Sequence, residues 1–325
     1  MMPQRQNPAP PTRCPICAGG ALPVNTLFLL ELAECATYRC SACGLYFRHP
    51  LPAYEAVSRY YQNHFFRHPD AVEEAMARIQ GRWMIDALRR HGVSTDSLHY
   101  IEYGAGRGWL VAFMQNQHRI KATGYEPDRQ SVNWGREVLH VDLREGLFDE
   151  AIYSPDLAGS SPLFALVHVL EHLHDPLSVL RAAKEKNQST YLFLEVPDAA
   201  YEGPVIESDT FPSSSMGQHF YSFNGKSLEI LLERAGYTIL ACSRDGDPGY
   251  WNERRRMLHI WRTISEIYGE WQQKGFDLKS GMVKSLRVGW MCFAAGLLIV
   301  RRRIAGKKYT RLDLPIIRIL ARSNS

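Results

Sequence analysis

A single stretch, Tyr100-Ile-Glu-Tyr-Gly-Ala-Gly-Arg-Gly-Trp-Leu110, limits the folds open to this chain. It reads as a strand that breaks into a glycine-rich turn and restarts as a helix. Tyr100 and Ile101 are the buried strand, and Glu102 sits near its carboxyl end. Gly104, Ala105, Gly106 and Gly108 form the turn; Trp109, Leu110, Val111, Phe113 and Met114 begin the helix. Glycines suit a backbone that takes positive φ angles and lets a ligand approach closely. Alone, G-x-G-x-G also describes an ordinary tight turn. The next strand, Lys121-Ala-Thr-Gly-Tyr-Glu126, ends in an acid and is followed by Pro127 and Asp128. Glu126 lies 18 residues beyond Gly108. A carboxylate there accepts hydrogen bonds from both ribose hydroxyls of a nucleoside ligand, and ligands of open α/β sheets bind at the carboxyl ends of the strands.

Strands and helices alternate from residue 98 to 245, which argues for a parallel sheet covered by helices on both faces. The pattern predicts strands at Ser97–Tyr103, Lys121–Tyr125, Leu139–Asp142, Leu163–Val169, Tyr191–Val196 and Tyr237–Ser243. Helices are expected over Asp128–Glu137, after Pro176, and over Ser227–Arg234 before Gly236. His168-Val-Leu-Glu-His-Leu-His-Asp-Pro176 follows the fourth strand at the edge that carries the glycine turn, and Gln218-His-Phe-Tyr-Ser-Phe-Asn224 precedes the last helix. His168, His172, His174 and His219 are thus candidates to converge. Their spacing is not a helical H-x-x-x-H face with a third ligand in view, which argues against a metal. A general base fits better, because histidine titrates near neutrality. His172 and His219 are the candidate catalytic residues; a structural role, capping a strand end or bonding a carboxylate, is the alternative for each.

Four of the seven cysteines are placed by rule. Cys14-Pro-Ile-Cys17 and Cys40-Ser-Ala-Cys43 are two C-x-x-C knuckles with 22 residues between them. Each presents two thiolates, and together they complete a closed, structural tetrahedral Zn²⁺ site. Cys35, Cys242 and Cys292 are isolated and read as small core residues. After the knuckles, Tyr38–Pro50 alternates as a hairpin does. Leu51–His68 is rich in aromatics (Tyr54, Tyr60, Tyr61, Phe65, Phe66) and suits either a packed linker or a lid facing substrate. Asp70 and Glu73 resemble a capping box at the start of a helix carrying Val72, Met76, Ile79 and Trp83 and stopping near Gly92.

Composition is ordinary for a globular protein, with 45% hydrophobic residues and a net charge of +4, which does not demand nucleic acid. Residues 1–13 are polar and proline-rich rather than a signal peptide, and the unpaired cysteine pattern suits a reducing, cytoplasmic setting. The longest apolar run, Val288–Val300, has 13 residues, short of the ~20 that a spanning helix needs. Within it Gly296–Arg302 suits a final, antiparallel strand, with a hydrophobic helix over Val288–Val300 as the competitor. Trp251–Lys274 looks helical. The flanking Arg301, Arg302, Arg303, Lys307 and Lys308 suit a core element with a solvated basic tail, or else peripheral contact with an anionic membrane. The chain thus divides into a zinc ribbon (1–50), an aromatic linker and helix (51–92), a ligand-binding core (93–245), and a helical, basic extension (246–325) that includes the last strand.

NAD and S-adenosylmethionine both suit a glycine turn followed by an acid. A dinucleotide fold needs G-x-G-x-x-G to seat a pyrophosphate, and here the third glycine comes one residue early. An acid two residues before the first glycine, Glu102-x-Gly104-x-Gly106-x-Gly108, resembles motif I of class I S-adenosylmethionine-dependent methyltransferases. The knuckles, the aromatic linker, His168–Pro176 and the His219-x-x-x-Phe223 loop together resemble bacterial zinc-ribbon methyltransferases of the sugar and surface-polysaccharide type over residues 14–245. The resemblance implies a Rossmann-like sheet and a cofactor site of Glu102, Gly104, Ala105, Gly106, Gly108, Glu126, Pro127 and His168. It implies a sugar or sugar-nucleotide acceptor as partner and a structural zinc on Cys14, Cys17, Cys40 and Cys43. Sugar C-methyltransferases are the most similar in architecture; His172 and His219 match their histidines. Gln218 stands where a glutamate is expected and Met216 where a tyrosine is, so O-methylation is equally open. Phe164-Ala-Leu replaces the usual Phe-Asp-x of strand four. Two rivals are an RNA methyltransferase that grips RNA with its ribbon and a non-catalytic binding protein of the same fold. For the first, residues 1–60 offer only Arg5, Arg13, Arg39, Arg48 and Arg59.

Overall fold

The computed structural model describes residues 11–64, 71–146, 161–185, 191–208, 218–245 and 316–324. Contacts group Met1–Arg244 with Ile316–Ser325 in one compact unit and Asp245–Pro315 in another. The first begins with β1 (Ala21–Leu29), β2 (Ala33–Cys40) and β3 (Tyr46–His49), then α1 (Tyr54–His64) and α2 (Ala71–Arg90). The core follows as β4 (Leu98–Tyr103), α3 (Trp109–His118), β5 (Lys121–Glu126), α4 (Arg129–Trp134), β6 (Leu143–Glu145) and β7 (Ser161–Val167). It continues through α5 (Pro176–Glu185), β8 (Tyr191–Pro197), α6 (Ala199–Ser208), β9 (Tyr221–Ser222), α7 (Gly225–Ala235), β10 (Tyr237–Asp245) and β11 (Ile316–Ser323).

Seven strands form the main sheet in the order β10-β11-β8-β7-β4-β5-β6. The pairs β7–β8, β4–β7, β4–β5 and β5–β6 are parallel, and β11 lies antiparallel to β8. Successive side chains of a strand point to opposite faces. Leu163 and Ala165 therefore join one apolar cluster with Leu110, Val111 and Met114 of α3, whereas Phe164 and Leu166 join another with Leu180 of α5 and Leu231 of α7. A strand covered on both faces reads as a continuous apolar run, and Leu192, Phe193, Leu194 and Val196 are fully buried. Each such side chain contributes about 1.5–3 kcal/mol. This is the expected α/β architecture with helices on both faces.

Three expectations shift. The final antiparallel strand is β11, not Gly296–Arg302, which lies outside the described residues, as do Trp251–Lys274, Val288–Val300 and the basic tract after it. Leu139 ends a π turn (Gly135–Leu139) that prolongs α4, so the third parallel strand starts at Leu143 rather than Leu139. The fourth stops at Val167, because His168 takes a left-handed backbone with φ 54°. Asp70, Phe65, Phe66, Cys292 and Met216 lie outside the described residues.

The hairpin expected over Tyr38–Pro50 is present as β2–β3, within a four-stranded sheet of order β1-β2-β3-β9. The last core helix starts by reciprocal capping: Ser227 N donates to Asn224 Oδ1 and Asn224 N donates to Ser227 Oγ, each at 3.0 Å. Gly236, at φ 80°, ends it.

Candidate functional site

The chain turns sharply after β4. Gly104 and Gly106 have φ of 67° and 54°, values that side-chain-bearing residues avoid. A Cβ on Gly104 would also lie 2.5 Å from Val169 Cγ2. The amides of Gly104 and Ala105 donate to Tyr125 O at 2.9 and 3.1 Å, which ties the turn to β5. One residue on, Gly106 N donates to Glu126 Oε2 at 2.9 Å, and Asp128 N donates to Oε1 at 3.0 Å. Glu126 is buried. Burial pushes its carboxyl up to about 7, against the pull of these two amides. Each oxygen keeps a lone pair for a further donor. Burial likewise lifts Glu102 to about 8, and its Oε2 has no hydrogen-bond partner.

Two cavities meet at Gly104. One, of about 300 Å³, is walled by Tyr54 and Tyr61 of α1, by Glu126 and Pro127, and by His168 and His172. The other, of about 410 Å³, is lined by Glu102, the turn from Gly104 to Arg107, Gln80 of α2 and Gln218. Every residue that the sequence assigned to the cofactor, except Gly108, lines one or both. Gly108 instead sits at the start of α3, its α-carbon facing Val141 and Leu143. Of the aromatics on Leu51–His68, Tyr54 and Tyr61 face the cavity, and the Tyr60 hydroxyl is 3.5 Å from Gln218 Nε2.

His172 and His219 do converge, with ring centroids 4.9 Å apart. His172 lies on the cavity wall, and His219 is buried and lines neither cavity. His172 Nδ1 is 2.9 Å from Gln218 O and 3.0 Å from the Tyr61 hydroxyl. A carbonyl only accepts, so it favours the tautomer with hydrogen on Nδ1 and the free lone pair on Nε2. Burial pushes His172 down to about 4; Glu171 opposes, and the charge on His219 reinforces. Burial also works against protonating His219, but the Glu202 carboxylate, 2.8 Å from Nδ1, outweighs it and raises the group. The two neighbouring imidazoles are thus pushed in opposite directions, His172 towards its neutral form and His219 towards its protonated one. His168 is pinned between Glu171, at 3.5 Å, and Glu195, at 3.2 Å. Glu195 also accepts from Gln80 Nε2 at 2.7 Å and Arg318 Nε at 2.5 Å. His174 also lines the first cavity, its Nε2 donating to Pro52 O at 2.8 Å.

Sequence spacing missed Glu171, Glu202 and Arg318 as members of this cluster, and it named Tyr61 only as an aromatic of the linker or lid. It also hid that Glu171, His172 and His219 bring potential ligand atoms within 4.8 Å of one another. Glu202 carried no signal: it sits in α6, a helix the pattern did not predict, and reaches His219 from 17 residues away.

The four cysteines of the two knuckles also cluster. Cys14 Sγ is 3.8 Å from Cys43 Sγ, and Cys17 Sγ is 3.3 Å from Cys40 Sγ. Tetrahedral zinc with Zn–S near 2.3 Å puts sulfurs roughly 3.8 Å apart; the first pair matches, the second is closer, and all four sulfurs lie within 4.8 Å of one another, a donor set that suits that ion. Backbone amides of Ile16, Gly19, Ala42 and Cys43 point at the sulfurs from 3.4 Å.

A family model described as a methyltransferase domain matches residues 74–241. No curated protein matches the chain. Among solved structures, the plantazolicin methyltransferase BamL, in complex with a triazolic desmethylPZN analogue and SAH, is 11% identical over 83% of this chain and 91% of its own, with a TM-score of 0.47. Magnesium protoporphyrin IX methyltransferase (ChlM) from Synechocystis PCC 6803, with bound SAH, is 13% identical over 60% of this chain and 94% of its own, at 0.44. A putative sarcosine dimethylglycine methyltransferase from Galdieria sulphuraria is 12% identical over 82% and 98%, at 0.42.

Proposed function

This chain belongs to the methyltransferase-domain family, whose model spans more than half of it, and on that premise we propose that it methylates a sugar-type acceptor with His172 as the general base. It is an S-adenosylmethionine-dependent methyltransferase. When bound, the cofactor supplies an electrophilic methyl group on a sulfonium. The protein's part is alignment and proton removal.

We assign the ribose hydroxyls to Glu126, whose oxygens are pinned by Gly106 and Asp128 and still have acceptor capacity. Glu102, with an unpartnered oxygen on the second cavity, suits the cofactor's ammonium. Pro127 and His168 complete the walls. The observation that carries the acceptor reading is His172 on the cavity wall with its ring 4.9 Å from that of the buried, Glu202-bound His219, two groups whose surroundings push them in opposite directions. Neighbouring groups whose environments push their pKa values apart mark acid–base work. His172 Nε2 takes the proton from an acceptor hydroxyl, or from a carbon next to a carbonyl, as the methyl bond forms. Tyr54 and Tyr61 offer flat apolar walls for the C–H face of a sugar ring. Incubation with sugar nucleotides and labelled cofactor, followed by NMR of the product, tests this reading and separates O- from C-methylation. Binding of S-adenosylhomocysteine without turnover on any acceptor would favour a non-catalytic role.

An RNA acceptor is disfavoured by where the N-terminal arginines go. Arg48 is buried, which leaves Arg13, Arg39 and Arg59 as the exposed arginines among the described residues up to 60, and Arg39 lies over Tyr46 and 3.7 Å from Glu207. No helix among the described residues is long and apolar enough to cross a membrane.

Two further outcomes follow. S-adenosylhomocysteine affinity rises with pH through about 7, the value to which burial pushes Glu126. Below it the carboxyl is protonated; above it the carboxylate accepts both hydroxyl protons, and the dissociation constant tightens by up to about tenfold per pH unit. Calorimetry from pH 6 to 8 reads this, and Glu126→Gln removes the part centred near 7. For the ribbon, we propose one structural zinc held by Cys14, Cys17, Cys40 and Cys43. Elemental analysis should find about one equivalent per chain, lost in Cys17→Ser together with several degrees of melting temperature.

A further inference from the structure

The segment Gln218–Asn224, which carries His219, is gripped from two sides. On one side it extends the cysteine-bearing sheet: Tyr46 pairs with Ser222 and Phe47 with Tyr221. Arg48 N donates to Phe220 O and Arg48 Nη1 to Ser222 Oγ, both at 3.0 Å. The second knuckle itself takes part, because Asn224 Nδ2 donates to Cys43 O at 3.0 Å and Lys226 Nζ to Ala42 O at 2.8 Å. Phe220 and Phe223, fully buried, pack in the same apolar cluster as Cys14, Cys40, Cys43 and Phe47. On the other side, Phe220 N donates to Glu171 O at 2.8 Å, Gln218 O faces His172 Nδ1, and the Tyr221 hydroxyl donates to His174 O at 2.9 Å.

Arg48 is the unusual member. Its guanidinium is 2% exposed, and Nε and Nη2 have no partner. A buried ion pair is often replaceable by apolar side chains without loss of stability. Glu202, the partner of His219, feels the Arg48 charge and has an unpartnered oxygen of its own. A cation placed here acts on that carboxylate.

We propose that the four-cysteine domain is a working part of the acid–base site, with Arg48 and the second knuckle as positioning elements that hold His219 against His172. This rests on the methyltransferase reading for what the two histidines do, and on the zinc reading for what closes the knuckle. The Arg48 arm is independent of zinc.

The test is hydrogen exchange on the full-length chain, read by mass spectrometry, with histidine side-chain titration by NMR. In Arg48→Met, exchange across 218–224 accelerates about tenfold, the loss of roughly one hydrogen bond. Strands β4 and β7 keep wild-type protection, which shows that the core is folded, and Arg48→Lys restores part of the effect. In Cys43→Ser, 218–224 loses protection together with β2 and β3, and His172 and His219 titrate closer together. Wild-type exchange at 218–224 and unchanged histidine titrations in Cys43→Ser, with zinc shown to be lost, would overturn the proposal. A wild-type chain without zinc would instead remove the metal reading, and the Arg48 variants would still decide whether the sheet positions His219.

Discussion

Replacing Glu126 by alanine weakens S-adenosylhomocysteine binding about 100-fold in isothermal titration calorimetry. The carboxylate is fixed by two backbone amides at 2.9 and 3.0 Å and borders the first cavity. Two hydroxyl donors to one charged acceptor contribute about 1.5 kcal/mol each, and about 3 kcal/mol in sum corresponds to roughly two decades of affinity. Alanine also frees the Gly106 amide, so the turn loses one of its ties to β5 and keeps those from Gly104 and Ala105 to Tyr125 O. Glutamine keeps the shape and one acceptor, and should fall between the two. Affinity within threefold of wild type in Glu126→Ala would reject this residue as the ribose anchor.

His172→Ala lowers the methyl-transfer rate by about 10²–10⁴-fold, the usual contribution of a positioned base, while cofactor affinity changes far less. The pH profile carries the sharper signature. Because burial pushes His172 down to about 4, the base is neutral over the whole physiological range, and the acid limb of the rate should fall near pH 4. An ordinary histidine base would place it near 6.5. His219→Gln removes a positive neighbour from His172 and its partner from Glu202. The limb should then move up in pH, towards the ordinary value. A limb near 6.5 in the wild type that does not respond to His219→Gln would show that a different group accepts the proton.

Local chemistry was legible in the sequence. A glycine turn, an acid at the end of the next strand and two C-x-x-C knuckles each need residues only a few positions apart, and each lies where the spacing put it. Long-range partners left no trace. Tyr61 reaches His172 across 111 positions, and Arg48 reaches Ser222 across 174. Neither residue differs locally from a surface tyrosine or arginine. The glutamate missing at Gln218 illustrates the point. A carboxylate does serve His219, but it arrives from α6 and not from the adjacent position. The last strand was misplaced because Gly296–Arg302 is as apolar as β11, whose run Ile316-Ile-Arg-Ile-Leu is broken by Arg318. That arginine looks like a solvated charge in sequence and is buried against Glu195 in the fold.

The position of β11 bears on how the chain is made. A ribosome delivers β10 about 70 residues before β11, yet β11 belongs between β10 and β8. Until the late strand emerges, β8 and β10 each present a backbone edge without its partner, and such edges template association with other chains. Glu195 meanwhile waits, already desolvated by its neighbours, for the counter-charge of Arg318. Stalled or prematurely terminated translation products should therefore be far more aggregation-prone than their length suggests. Supplying Ile316–Ser323 as a separate peptide should rescue them, provided that it brings the arginine.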